Sequence, residues 1–332
     1  MSNPRTMLDR RTLLRQSTGA LALIGAAGAA SLARAEVLYP NRPVRLVVPY
    51  PPGGGSDFLA RAVGKKLSEL WGQSVIVDNR PGASGVLGAR HVAQSAPDGY
   101  TLLQDIPSYV VNPVLMSNLP YDARRDFVPV TTIMRYPSAL AVAASSPWHT
   151  LQQLIVDAKA APGKLTIGNS QSLSHLTAEL FKQAAGIDIL NVPYKGAAPM
   201  MNDLIGGHVS MGLIPITTAL PQMKSGTMRV LGLTSKERVA SLPDLPTLTE
   251  QGVPVETYAW TGVFAPAGTP PELVQKIQSD IASVLAMPDL RDQIGQNVAV
   301  MGGEPPEQFR QFIDRELDRW VAVARAANIK PE

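Results

Sequence analysis

Cysteine is absent from all 332 residues, so neither disulfides nor thiolate-held metal ions support this fold, and packing must supply its stability. Histidine is scarce: the four at 91, 149, 175 and 208 are scattered with no His-x-x-x-His pair, which leaves a metal site without support. No Gly-x-Ser-x-Gly elbow offers a serine nucleophile, and the Gly-x-x-x-x-Gly-Lys-Ser/Thr spacing of a phosphate loop is missing. No cofactor is expected. The apolar stretch Gly19 to Ala30 falls well short of the ~20 residues a membrane span needs. Net charge is small as well. The formal value is +3, but the five arginines and single aspartate of residues 1–35 account for +4 of it, leaving −1 for the remainder. That balance offers no electrostatic footprint for nucleic acid.

What the N-terminus does contain is Arg10-Arg11-Thr12-Leu13-Leu14-Arg15, a twin-arginine pattern, followed by the apolar stretch and by Ala33-Arg34-Ala35, a small-x-small cleavage site. The reading is a twin-arginine-type signal peptide over residues 1–35, with export to a bacterial periplasm and a mature chain from Glu36. The remaining 297 residues suit one large domain or two medium ones.

Val44 to Val48 reads as a buried strand, and Phe58, Leu59, Ala62, Val63, Leu67 and Leu70 fall at helical spacing. Ser74 to Asp78 and Tyr100 to Leu103 read as strands on either side of a helix from Val86 to Ser95. Such alternation implies a parallel sheet covered on both faces. A second set begins near residue 139. Its strands are Leu140 to Ala143, Leu165 to Ile167, Ile189 to Val192, Val209 to Leu213 and Arg229 to Thr234. Its helices are Leu151 to Ala160, capped by Thr150, then Leu176 to Ala185 and Ala198 to Ile205. Pro270-Pro271 opens a further helix to Ala286, and the last runs from Glu307 to Ala327. Extended segments at Val128 to Ile133 and Glu256 to Phe264 suggest two crossings between two α/β lobes: residues 36–135 with 262–332, and residues 136–261. Clefts between lobes, and the carboxyl ends of strands in open α/β sheets, are where ligands bind.

Four strand-to-helix turns are richer than a bare connection requires. Pro49-Tyr50-Pro51-Pro52-Gly53-Gly54-Gly55-Ser56-Asp57 follows the first strand. Its glycines let N–H groups face a ligand, the helix starting near Phe58 adds its positive end, and Ser56 or Asp57 is placed to cap that helix. Asn79-Arg80-Pro81-Gly82-Ala83-Ser84-Gly85 repeats the idea, so that two helix N-termini converge on one anion, with Arg80 read as a surface residue. Asn169-Ser170-Gln171-Ser172-Leu173-Ser174 either orients a polar ligand or is a plain capping loop. In Val192 to Ala198, Lys195 either meets a carboxylate or points to solvent. Charge-assisted hydrogen bonds contribute roughly 1.5–3 kcal/mol each, so several N–H contacts reach the ~8 kcal/mol of a micromolar complex without an arginine clamp. His175 reads as a packing histidine, and Asp203, on an otherwise apolar helix, as a structural acceptor.

In order along the chain, Pro49 to Asp57, Asn79 to Gly85, Pro97 to Leu102, Val192 to Gly196, Asp203 to Val209 and Phe264 to Pro270 resemble the Bug proteins. These are periplasmic substrate-binding proteins of the tripartite tricarboxylate transporter type. The resemblance covers essentially the whole mature chain. It implies a type II periplasmic-binding-protein fold with a two-strand hinge, no catalysis, and closure on a small carboxylate held by backbone N–H groups and bridging waters. Family contacts carry over to Pro52, Gly53, Gly54, Ser56 and Asp57 in the first turn and to Ala83 and Ser84 in the second. Ser108, Asn169, Ser170, Ser172, Lys195 and Gly196 complete the candidate set. The implied partners are the membrane permease subunits of a tripartite transporter. Apart from the resemblance, the alternative function is a ligand receptor for a two-component sensor kinase without a transporter, and a remote alternative is a periplasmic hydrolase or isomerase. Two stretches depart from the family pattern: Asn169 to Ser174 is shorter and lacks glycine, and Gln104-Asp105-Ile106-Pro107-Ser108-Tyr109 stands where small residues are typical. Asp105 would repel a second carboxylate if it faced the cleft, so the ligand stays open among mono- and dicarboxylates, amino acids, aromatic acids and amides.

Overall fold

Val44–Val48 (β1) buries four of its five side chains, as a strand with a neighbour on each side and helices on both faces must. In the computed structural model, which describes residues 39–170, 172–194, 196–294 and 299–331, β1 lies between two parallel neighbours, Val75–Asn79 (β2) and Thr101–Asp105 (β3). The expected signal peptide lies outside the described residues. Two long strands complete this first sheet, Phe127–Ala143 (β4) and Tyr258–Pro266 (β9), in the order β2-β1-β3-β9-β4.

β4 pairs with β9 from Phe127 to Pro137 and then, from Ser138 onward, with Met211–Pro215 (β7) and Met228–Leu233 (β8). One strand therefore serves two sheets. The second sheet continues from β7 to Thr166–Asn169 (β5) and Leu190–Pro193 (β6), both in parallel register. The chain returns to the first sheet at Thr257-Tyr258. Ser138, Thr234 and Thr257 are buried where the two crossings meet, and they exchange main-chain and hydroxyl hydrogen bonds.

Two expectations need correcting. The sheets are mixed rather than parallel, because β9 and β4 run antiparallel to their neighbours where the chain reverses between lobes. Val128 to Ile133 and Leu140 to Ala143 are also one 17-residue strand. Pro137 suggests a break, but it falls at the changeover of partners, where its missing N–H disrupts neither ladder.

The helices Gly55–Trp71 (α1), Val86–Ala93 (α2), Leu151–Ala160 (α4), Ser172–Ala185 (α5), Ala197–Ile205 (α6), Pro271–Leu285 (α8) and Pro306–Ala326 (α10) fall where apolar spacing places them, with ends shifted by a few residues. Thr150 caps α4 through a full capping box with Gln153. Ser108–Leu115 (α3) and Ile216–Lys224 (α7) escape the sequence reading because each carries an interior proline, Pro113 or Pro221, which ordinarily breaks a helix. Burial overrides that cost in α3, where Tyr109, Val110, Val111 and Val114 all enter the core. Pro288–Ile294 (α9) and the short strand Val300–Met301 (β10), paired with β4, complete the elements.

The first lobe's core is aromatic. Tyr109 stacks on Phe264 at 4.2 Å, while Trp260, Phe309 and Phe312 meet in tilted and edge contacts around them. At Gly262 a Cβ would stand 2.4 Å from Phe309 Cζ, so only glycine admits this ring. Leu173 and Leu176 of α5 join the same cluster, and Gln183 of α5 donates to the Val323 carbonyl of α10. Helix α5 follows β5 of the second sheet yet packs into the core beside the first.

Candidate functional site

A cleft of about 800 Å³ opens at the carboxyl ends of the strands of both sheets. Its first wall comes from the turns after β1, β2 and β3, its second from the turns after β5, β6 and β7, and its floor from β4 and β9 through Met134, Tyr136, Ala259 and Thr261.

The first turn is held from behind. Gly53 has φ +84°, a left-handed conformation that glycine adopts without strain, and its N–H donates to Asp57 Oδ2 at 2.9 Å. Arg61 grips both carboxylate oxygens, Nε on Oδ2 and Nη2 on Oδ1, each at 2.9 Å. This guanidinium pulls the Asp57 carboxyl down to about 2, against the opposing effect of burial. Asp57 is only 4% exposed and faces away from the cleft. Neither it nor Ser56 is the helix cap as expected. Gly54 takes that place with extended backbone, so α1 begins at Gly55, and Ser56 and Asp57 lie inside its first turn. The N–H groups of such a turn have no intrahelical partner. Gly55 and Ser56 line the cleft, and a Cβ at Gly55 would meet nothing within 4 Å.

The second turn has four successive positive φ angles, Gly82 140°, Ala83 47°, Ser84 53° and Gly85 95°. Left-handed backbone costs a residue with a side chain roughly 1–2 kcal/mol, so Ala83 and Ser84 need holding. Asn112 of α3 does so, donating to the Ser84 carbonyl at 3.0 Å. Ser84 lines the cleft and Ala83 does not. Arg80 pairs with Asp78 at 2.8 Å outside the cleft.

The third turn resolves the question of Asp105. Its side chain is 2% exposed and does not line the cleft. Instead Oδ1 accepts from the Tyr50 hydroxyl at 2.7 Å and from the Ile106 N–H at 2.8 Å, with Ser108 Oγ at 3.5 Å. Tyr50 Oη and Ser108 Oγ are in close hydrogen-bond contact, and both residues line the cleft. Burial drives the Asp105 carboxyl up to about 7, although each of these donors opposes the shift. Burial, and then the Asp105 charge, push the Tyr50 phenol well above its ordinary value.

The second wall is made of side chains. Asn169, Ser170 and Ser172 line it. Their loop also closes on itself, since the Ser170 N–H donates to Ser174 Oγ at 3.2 Å, so the two readings of this stretch are not exclusive. Tyr194 joins them from the turn after β6, its N–H donating to the Asn169 carbonyl at 2.8 Å and its hydroxyl to Asp203 Oδ2 at 2.7 Å. Burial, reinforced by Asp203, pushes that phenol up to about 12.

Of the thirteen candidates, then, Ser56, Ser84, Ser108, Asn169, Ser170 and Ser172 line the cleft, whereas Pro52, Gly53, Gly54, Asp57, Ala83 and Gly196 do not. Lys195 lies outside the described residues. Pro52 to Gly54 and Asp57 shape the turn that sets Gly55 and Ser56. Gly196, at φ +111°, starts α6. His175, read as a packing residue, lines the cleft instead, because α5 begins at Ser172 and sets its first turn there. The sequence reading also passed over Tyr50, two positions past the end of β1, and Tyr194, directly after β6, although a strand-end position signals both. The floor residues become visible only once β4 and β9 are known to cross between lobes. The apolar members, Phe58, Leu59, Leu115 and Ile294, gather no polar partners and suit a hydrocarbon portion of a ligand. No lysine or arginine lines the cleft among the described residues, and no cluster of three metal-ligating side chains occurs among them.

Two α/β lobes joined by crossing strands around a polar-walled cleft define a type II periplasmic solute-binding protein. Residues 59–329 match the tripartite tricarboxylate transporter family receptor, and the chain belongs to this family, which is one of receptors rather than enzymes. Protein BugT of Bordetella pertussis is 35% identical over 322 residues, covering 94% of this chain and 98% of that protein. Rpa4515 of R. palustris, solved with adipate, is 38% identical with a TM-score of 0.77, covering 89% of this chain and 100% of that one. The periplasmic binding protein BugD is 31% identical with a TM-score of 0.73, covering 89% and 100%. Among the described residues no helix is long and apolar enough to cross a membrane.

Proposed function

We propose that this protein captures a small organic acid in the cleft and delivers it to a membrane permease of the tripartite tricarboxylate type. The carboxylate sits against the first wall, at the free N–H groups of the α1 first turn and the hydroxyls of Ser56, Ser84 and Ser108. Asn169, Ser170, Ser172 and Tyr194 meet the polar remainder of the ligand, and the apolar residues take its hydrocarbon. The observation that carries this reading is the convergence of three strand-end turns on one cleft with no lysine or arginine lining it among the described residues. Backbone donors can bind an anion alone, because helix N-termini combine unpaired N–H groups with a positive partial charge. Ligand contacts to both walls favour the closed form, and that population shift is what the permease reads. Adipate in the related Rpa4515 supports a carboxylate here.

Isothermal titration against a panel of mono- and dicarboxylates and their amides tests the proposal. At least one acid should bind in the micromolar range while its amide does not. Heat from the amides alone, or from none of the panel, would sink it. For delivery, the permease's large membrane subunit should retain the liganded protein better than the ligand-free one.

A further inference from the structure

Asp105 is a buried carboxyl behind the cleft wall, and nothing in the proposed binding contacts uses it. It is tied to the cleft through two hydroxyls. Tyr50 Oη donates to its Oδ1 at 2.7 Å, Ser108 Oγ touches Tyr50 Oη, and both side chains face the cleft. Asp105 is hydrogen-bonded by Tyr50 from the turn after β1 and by the Ile106 N–H, with Ser108 of α3 beside it, and the further titratable groups that feel its charge are Tyr109 of α3 and Tyr121 from the segment before β4. Across the sheet, β9 sets Gly262 opposite. None of these residues carries a formal charge. Asp122 and Arg310 reach this cluster only through Tyr109.

We propose that Asp105, Tyr50 and Ser108 form a proton relay that makes this cleft take up a carboxylate together with one proton. The argument follows the hydrogen atoms. An ionised Asp105 only accepts, so Tyr50 must donate inward, and Ser108 in turn donates to Tyr50 Oη. Both hydroxyl hydrogens then point away from the cleft, which is left with Ser108 lone pairs in front of a buried negative charge. A protonated Asp105 reverses the chain: its O–H donates to Tyr50 Oη, Tyr50 donates to Ser108 Oγ, and Ser108 turns its hydrogen into the cleft. Only this second arrangement offers a donor to an anionic oxygen. The proton comes from solvent and ends on Asp105, the two hydroxyls only reorient, and no bond within the ligand breaks. A carboxyl that burial has raised to about 7 switches within the range where this matters. A ligand that presents a hydroxyl or amide N–H to Ser108 would suit the ionised form and bind without a proton.

The proposal rests on reading the cleft as a carboxylate site, and its test separates the two. Adipate and benzoate serve as probes. With a midpoint near 7, the protonated fraction falls about tenfold between about pH 6 and pH 8, and apparent affinity should fall by the same factor. Calorimetry near pH 8 in buffers of unlike ionisation heat should report uptake approaching one proton per ligand bound. D105N, whose amide donates permanently to Tyr50, should keep its affinity across the range and take up no proton. The wild-type pH slope and proton count decide the matter even if that variant does not fold. Histidine is the residue type that ionises near neutrality, so H175Q is the control, and the tenfold slope must survive in it. Flat wild-type affinity with no proton uptake, or a D105N slope as steep as wild type, overturns the relay while leaving carboxylate binding intact. Failure of both probes to bind overturns relay and carboxylate site together.

Discussion

The two walls of the cleft are built by different means. Behind the first stand two acids only 4% and 2% exposed, Asp57 fastening the glycine turn and Asp105 fastening Tyr50 and Ser108. Behind the second stands Asp203, whose side chain is 41% exposed and shares its carboxylate with the Tyr194 hydroxyl and the still more exposed His208. A wall that presents backbone N–H groups has to hold the main chain itself in place, and the charge-assisted hydrogen bonds of buried Asp57 do that. One that presents amides and hydroxyls on side chains can re-aim them by rotamer changes, so it suits the part of the ligand that varies. The first wall should therefore fix where a carboxylate sits, and the second should select what is attached to it.

The sharpest way to break this contrast is pH. Asp105 has a folded-state carboxyl at about 7, against 3.8 ordinarily, so the folded chain holds the proton more tightly than the unfolded one. Its contribution is fully present below about pH 4 and is lost as pH rises to about 7, with an upper bound of about 4 kcal/mol from the size of the shift. Urea unfolding at several pH values should show this fall in wild type and a flatter curve in D105N. Asp57 has the opposite sign. Held down to about 2, it stabilises the fold above its ordinary range and loses that effect as pH drops towards 2. Asp57→Ala removes the charge-assisted hydrogen bonds from Gly53 N–H and Arg61, leaving Arg61 its bond to Asn79 Oδ1, and should cost about 1–3 kcal/mol. Because the turn loosens, ligand affinity should also drop at least tenfold although Asp57 does not line the cleft. Unchanged affinity in that variant would mean the turn does not depend on its buried anchor.

A smaller effect tests how the first wall is joined to the strand behind it. A Cβ at Gly88 would lie 2.7 Å from Pro49 Cβ and 3.1 Å from the Arg80 carbonyl oxygen. Gly88→Ala should push α2 away from the turn after β1 and cost about 1–3 kcal/mol, the usual penalty for overpacking. The affinity loss should be smaller than for Asp57→Ala, since the Asp57 anchor that sets Gly55 and Ser56 stays intact.

What was legible in the sequence follows the same division. Proline and glycine punctuation exposed the strand-end turns, and apolar spacing exposed the helices that carry them. Hidden were the places where burial overrules local preference: Pro113 and Pro221 inside helices, and Pro137 inside a strand that changes sheets. In the site, hydroxyls and glycines were visible as polar or flexible positions, but their direction was not. Asp57 and Asp105 are carboxylates next to a cleft, and nothing along the chain says that both turn inward. His175 was legible as a residue at the opening of a helix beside Leu176, where packing is the commoner role; that this first turn, beginning at Ser172, faces the cleft was not.

The mildest prediction concerns the second wall. Tyr194→Phe removes one hydrogen bond to Asp203, but that carboxylate is reached by water, so no buried charge is stranded. Stability should fall by no more than about 0.5–1.5 kcal/mol. Affinity for a simple carboxylate should change only a few-fold, while the ranking among ligands with different polar tails should shift, because the ring loses the hydroxyl anchor that aims it. Competition titrations with a series of acids sharing one carboxylate and differing at the far end would read this directly. If Tyr194→Phe weakened every acid equally and as severely as Asp57→Ala, the second wall would be holding the carboxylate too, and the division of labour between the walls would fail.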